Sequence, residues 1–188
     1  MSRENSIENV WNQLLTFAKK HWVPCMSSGT EERLLQYLMT YKPKSVLEVG
    51  SAIGYCTSFF AYHSNTWWWR VTSFEISHPS YMLAIHTLHM IHAYNARIYH
   101  ANILHIPLEK IVNEKYDFVF IDGAKSEYVA YIERILPFCK PWCTFICDDM
   151  LMYKDKVALV YPLLEKYWYT YKTIKLDADD GIVVFTTH

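Results

Sequence analysis

From residue 45 onward the chain alternates short apolar runs with longer segments of helical character, and few folds accommodate that alternation. Residues 45–50 (SVLEVG), 70–76 (RVTSFEI), 96–101 (ARIYHA), 116–122 (YDFVFID) and 143–149 (CTFICDD) read as buried strands. Between them lie helices over 54–63, over 79–93 behind Pro79, briefly after Pro107, and over 126–136 before Pro137. A further helix is expected over 154–168, with a kink at Pro162. The runs 169–176 and 181–187 then flank DADDG, a tight-turn sequence. Repeated βα units predict a parallel sheet covered by helices on both faces. The last two strands have only a short turn between them and should pair antiparallel. Two helices precede the alternation. One carries apolar residues at Ile7, Val10, Trp11, Leu14, Leu15 and Ala18, and the other follows Ser28-Gly29-Thr30 with Leu34, Leu35 and Leu38 on its inner face.

The 188 residues suit one domain, with N-terminal helices over 1–42 and an α/β core over 43–188. A 52% apolar, 20% charged composition belongs to a chain that folds. No apolar run reaches the length of a membrane span, and MSRENSIENVW lacks a secretory apolar segment, so a cytoplasmic location is expected. The five cysteines are odd in number and read as free thiols. A net charge of −1 lacks the basic footprint of a protein that grips nucleic acid by charge alone.

In open α/β sheets, ligands bind beyond the carboxyl ends of the strands, which makes Glu48, Gly50, Glu75, Asn102, Asp122, Asp148 and Asp149 the informative residues. In LEVGSAIGY (47–55), Gly50 and Gly54 occupy the first strand-to-helix turn, at the wrong spacing for a dinucleotide fingerprint. Glu75 ends the next strand, where an acid can accept both hydroxyls of a ribose. Together they suggest a nucleoside cofactor without phosphates. In FIDGAK (120–125), Asp122 reads either as a helix cap or as a ligand, and Lys125 either as a surface lysine or as a catalytic group. The adjacent pair Asp148-Asp149 ends the neighbouring strand, and three converging carboxylates would be costly unpaired. A hard divalent cation, Mg²⁺ or Mn²⁺, would remove that cost.

With these motifs in place, the chain resembles the metal-dependent class I O-methyltransferases of the catechol and caffeoyl-CoA group, and within it the bacterial tRNA 5-hydroxyuridine methyltransferases. The resemblance runs from about His21 to the C-terminus through HWVPCM, VLEVGSAIGYCT, VTSFEI, YDFVFIDGAKSEY and DADDGIVV. It implies a Rossmann-like fold with a seven-stranded, mostly parallel sheet and an antiparallel C-terminal hairpin. It also implies methyl transfer from S-adenosylmethionine to a hydroxyl oxygen, of a catechol-like small molecule or of a hydroxylated nucleoside, and a homodimer. On this resemblance Met26, Gly50, Ser51, Tyr55 and Cys56, with Glu48, would surround the methionine end of the cofactor. Glu75 and Ile76 would hold the ribose side, and Asn102 and Ile103 would border the adenine. Asp122, Asp148 and Asp149 would bind the metal, Asp122 also touching the cofactor, and Lys125 would act as general base or lower the acceptor's pKa. The chain departs from the pattern at Asp149, usually asparagine, at Cys56, usually serine or threonine, at Ala101-Asn102, usually Gly-Asp, and at Cys143, usually glycine. After Asp149 it also lacks the arginine-rich insertion of the tRNA-type relatives, which counts against tRNA as partner. A non-catalytic cofactor-binding module is the rival of another class, and the joint presence of Asp122, Lys125 and Asp148 argues against it.

Three further clusters read more simply. Cys139, Cys143 and Cys147 read as packing in and before a buried strand, not a soft-metal site. His86, His89 and His92 read as a solvated helix face. Trp67, Trp68 and Trp69 precede a strand at the end of the sheet away from the site, and read as core or as a contact between chains.

Overall fold

The computed structural model describes residues 3–64 and 69–188. Seven strands form one sheet in the order β3-β2-β1-β4-β5-β7-β6. They are β1 (Ser45–Val49), β2 (Arg70–Glu75), β3 (Ala96–His100), β4 (Tyr116–Ile121), β5 (Cys139–Cys147), β6 (Tyr171–Lys175) and β7 (Gly181–Thr186). The first five pair in parallel, and β7 runs antiparallel to both β5 and β6. The strand order reverses between β1 and β4, so a crevice opens where their carboxyl ends diverge. Helices α1 (Arg3–His21), α2 (Ser28–Tyr41), α3 (Tyr55–Ser64) and α4 (His78–Met90) precede β3 in the chain. Helix α5 (Tyr128–Ile135) and the short α6 (Lys154–Val157) and α7 (Val160–Lys166) follow β4 and β5. The central strands are buried on both faces: β1 is buried throughout, as are residues 118–121 of β4 and 143–147 of β5. This accounts for their near-continuous apolar sequences.

Local chemistry moves several boundaries from their sequence-based positions. The helix expected over 154–168 is two helices, because proline has no N–H to give and its ring crowds the preceding turn. The break at Ala158-Leu159 places Pro162 in the first turn of α7, where a missing donor costs nothing. Strand β5 begins at Cys139 rather than residue 143, with an irregular register between Tyr116 and Phe118 and a left-handed Trp142 (φ 64°). Lys140 holds that irregular stretch to Asp117 across 2.8 Å, and the Cys143 N–H donates to Thr187 Oγ1 at 3.0 Å. Helix α2 starts one turn before Glu31, because Ser27 caps it by accepting from the Thr30 N–H at 3.1 Å.

Helix α1 buries part of its apolar face within the chain and leaves Leu15 exposed. Ile7 and Ala18 are buried, and Trp11 donates from Nε1 to Ser58 Oγ at 2.9 Å while packing among Tyr55, Phe59, Tyr62 and His63 of α3. Cys139, Cys143 and Cys147 are all buried in β5. His86 and His89 face outward from α4, and His92 lies beyond its end. Trp69 is buried ahead of β2, whereas Trp67 and Trp68 lie outside the described residues. No helix among the described residues is long and apolar enough to cross a membrane.

Candidate active site

The crevice at the carboxyl ends of the strands holds a cavity of about 660 Å³, walled from the turns after β1 to β5 and by the β6–β7 turn. Its first wall depends on Gly50. The Gly50 N–H donates to Phe74 O at 3.0 Å, turning the chain with φ at +94°. A Cβ at that position would stand 2.5 Å from Asp122 O. Only glycine allows the turns after β1 and β4 to approach so closely.

Glu75 organises the next wall. Its two carboxylate oxygens accept from the N–H groups of Ala52 (2.8 Å) and Ser77 (2.7 Å), which fixes the turns after β1 and β2 around one side chain. Each carboxylate oxygen has more than one acceptor direction, so capacity for hydroxyl donors remains. Ile76, Asn102 and Ile103 continue this wall, and Met26 faces it from the segment before α2.

At the opposite end, Lys125 is the centre of a closed knot. Its Nζ lies 2.6 Å from Asp122 Oδ1, 2.8 Å from Asp149 Oδ2 and 2.9 Å from the Tyr128 hydroxyl. Burial pulls the ammonium pKa down, but the carboxylates of Asp122 and Asp149 outweigh it and hold the group protonated.

Beside the knot, one carboxylate oxygen from each of Asp148, Asp149 and Asp180 lies within 4.8 Å of the others. Burial, with Asp122 and Asp149 nearby, pushes the Asp148 carboxyl up to about 8. The amino end of α2 faces this cluster: Ser27 Oγ donates to Asp180 Oδ2 at 2.7 Å, and Thr30 Oγ1 to Asp148 Oδ1 at 3.3 Å. The partial positive charge of a helix start favours carboxylates there. The other oxygen of Asp180, Oδ1, is buried without a partner. Convergent carboxylate oxygens with an orphaned acceptor form a hard-oxygen donor set, and that chemistry fits Mg²⁺ or Mn²⁺.

The residues singled out in the sequence fall into two groups. Met26, Gly50, Glu75, Ile76, Asn102, Ile103, Asp122, Lys125, Asp148 and Asp149 line the cavity. Glu48, Ser51, Tyr55 and Cys56 stand behind it. Glu48 is wholly buried and accepts from Thr57 Oγ1, and burial pushes its carboxyl up to about 7. Tyr55 donates to Glu31 at 2.8 Å, and Cys56 Sγ lies 3.9 Å from Met26 Sδ. Ser51 Oγ is buried without a partner, and the Glu48 carboxyl is supported by Ser73 and Cys56 as well as Thr57. Asp180 joins Asp148 and Asp149 in the convergent cluster, and Asp122 pairs with Lys125, as Asp149 also does. Asp180 escaped the sequence reading because DADDG is equally good turn chemistry; Ser27, its partner, resembled an ordinary residue ahead of a helix. Met152, Tyr153, Asp177 and Tyr131 complete the wall, and no spacing pattern marks them.

Comparison with known proteins agrees with this geometry. A model of the O-methyltransferase family matches residues 2–183. An O-methyltransferase from Bacillus cereus, solved in complex with SAH, superposes with a TM-score of 0.83 at 19% identity, covering 96% of this chain and 91% of that one. A putative caffeoyl-CoA O-methyltransferase from Staphylococcus aureus gives 0.84 at 25% identity, covering 94% and 91%. TomG from Streptomyces achromogenes, involved in tomaymycin synthesis and solved with SAM, gives 0.83 at 15% identity, covering 95% and 90%. The fold is the Rossmann-like α/β fold of class I methyltransferases. The chain belongs to the O-methyltransferase family.

Proposed function

We propose that the chain methylates a hydroxyl of a small, catechol-like acceptor, with a divalent cation held by Asp148, Asp149 and Asp180. The observation that carries this reading is the composition of the cavity. Among the described residues, Glu75, Asp122, Asp148, Asp149, Asp177 and Asp180 line it against one cation, Lys125. One divalent ion and one sulfonium offset much of that charge, whereas a phosphate backbone would add to it. A small hydroxylated molecule is therefore favoured over hydroxyuridine in tRNA.

The cofactor fits the end of the cavity opposite Lys125. Glu75 would accept the ribose hydroxyls, Asn102 and Ile103 would border the adenine, and Met26 and Gly50 would flank the methionine portion. Glu48, and Ser51 through its unpartnered hydroxyl, would support the methionine end from behind the turn. A cavity of about 660 Å³ lies within the usual range for a cofactor-sized ligand.

A bound cation would supply Lewis acidity, lowering the pKa of a coordinated hydroxyl and stabilising its oxyanion. The chain's own residues do the remainder. Asp122 and Asp149 keep Lys125 an ammonium, so it is suited to donate a hydrogen bond to a developing phenolate. Lys125 as proton acceptor would require one of its carboxylate partners to move away first. Tyr153 and Met152 line the acceptor end beside Lys125. Fixed opposing walls hold the acceptor oxygen and the sulfonium methyl together, so positioning would supply much of the rate.

The deciding experiment is methyl transfer from labelled S-adenosylmethionine to a panel of catechols and, in parallel, to bulk tRNA from a strain containing 5-hydroxyuridine. Label in a catechol product, abolished by chelator, is the expected outcome. Label in tRNA alone would replace the acceptor class. The homodimer is carried forward as part of this proposal, and light scattering should return about twice the 22.3 kDa chain mass.

A further inference from the structure

We propose that Tyr128 is a positioning residue that aims Lys125 into the acceptor end of the cavity. The inference rests on the role for Lys125 given above. An ammonium has three N–H groups, and in this structure each has a partner: Asp122 at 2.6 Å, Asp149 at 2.8 Å and the Tyr128 hydroxyl at 2.9 Å. The three partners are not equivalent. The side chains of Asp122 and Asp149 are 29% and 28% exposed, whereas Tyr128 is 1% exposed. An acceptor hydroxyl that reaches Nζ from the cavity can replace a carboxylate, but it cannot replace Tyr128.

The phenol is also fixed from its far side. It donates its proton to Asp148 O at 3.0 Å, so the oxygen is left to accept from Lys125. One hydroxyl thus ties the lysine, which follows β4, to the backbone of Asp148, which follows β5. Tyr128 need not touch the acceptor or the cofactor. It fixes Nζ so that a neighbouring N–H is directed at whatever occupies the cavity.

The test reads Lys125 directly. In protein carrying ¹⁵N-labelled lysine, the ammonium resonance absent from Lys125→Met identifies Lys125. Wild type should show it in slow exchange with water, and Tyr128→Phe should raise that exchange rate at least tenfold. With an active catechol, kcat of Tyr128→Phe should fall about tenfold, while the Kd for S-adenosylmethionine stays within twofold of wild type. A buried Tyr116→Phe, at the far end of β4, should change neither readout. If Tyr128→Phe no longer binds the cofactor, 3-fluorotyrosine at 128 keeps the packing and weakens the acceptor oxygen; faster Lys125 exchange is again expected. Unchanged Lys125 exchange in a folded variant overturns the inference. Wild type that turns over no catechol would instead overturn the acceptor reading and leave the exchange measurement to decide this one.

Discussion

Lys125 and Asp149 are joined across 2.8 Å, so the residue that departs from the family pattern at the end of β5 is salt-bridged to the lysine that follows β4. The same carboxylate reaches the cluster with Asp148 and Asp180. Asp149 therefore serves two centres, and replacing it should separate them. Asp149→Asn retains an oxygen for a cation and removes one charge from Lys125. Turnover should persist with weaker metal affinity, read from activity against Mg²⁺ concentration. Asp148→Ala should lose on the order of 100-fold in activity or more, the scale of lost metal stabilisation, while keeping its fold by circular dichroism. A fully active Asp148→Ala would refute the metal assignment.

Asp180 tests the proposed donor set. Its Oδ1 is buried without a partner and its Oδ2 is held by Ser27. Asp180→Ala should weaken Mn²⁺ binding measured by calorimetry, whereas Asp122→Asn should leave it closer to wild type. The reverse order would restore Asp122 as the ligand.

Glu75 carries the cofactor prediction. Glu75→Ala removes the acceptor for the ribose hydroxyls and releases the Ala52 and Ser77 N–H groups. S-adenosylmethionine binding should weaken by about 1.5–3 kcal/mol, the range for hydrogen bonds to a charged group. Calorimetry showing wild-type affinity would end the ribose role.

Gly50 makes a prediction about the scaffold. Gly50→Ala forces a side chain into positive φ and against Asp122 O. It should cost about 1–3 kcal/mol in denaturant unfolding and displace the turn that forms the cofactor wall. Unaltered stability would mean that the two turns can separate freely.

The pH dependence follows from three raised carboxyls: Asp148 at about 8, Glu48 at about 7, and Asp122, pushed up by burial. Between the ordinary carboxylate range and these values the folded chain binds more protons than the unfolded one. Stability is then greatest on the acid side and is lost as pH rises through the folded pKa values. In chelator, Tm should fall from about pH 5 to about pH 8. Added Mg²⁺ should raise Tm more at the higher pH, where the carboxylates are ionised. A metal-free Tm that climbs over this range would contradict the burial argument.

The sequence by itself determined the sheet and the addresses of its polar residues. Strand periodicity and the turn residues between strands are local properties, so βα alternation and the closing hairpin could be read without coordinates. Glu75, Asp122, Lys125, Asp148 and Asp149 were legible because strand ends in such sheets share one edge. What the tertiary structure decided was which of them meet. Asp180 lies 32 residues beyond Asp148, in a turn whose sequence needs no ligand to explain it, and only the antiparallel return of β7 beside β5 brings it to the cluster. Tyr128 closes the YDFVFIDGAKSEY stretch, but only the fold places its hydroxyl between Lys125 and Asp148. Ser27 and Thr30 reach the acids only because α2 packs with its amino end over the crevice. Side-chain pairing across the sheet depends on how helices pack and where irregular strands restart. Those are sums of many weak contacts, and no single stretch of sequence contains them.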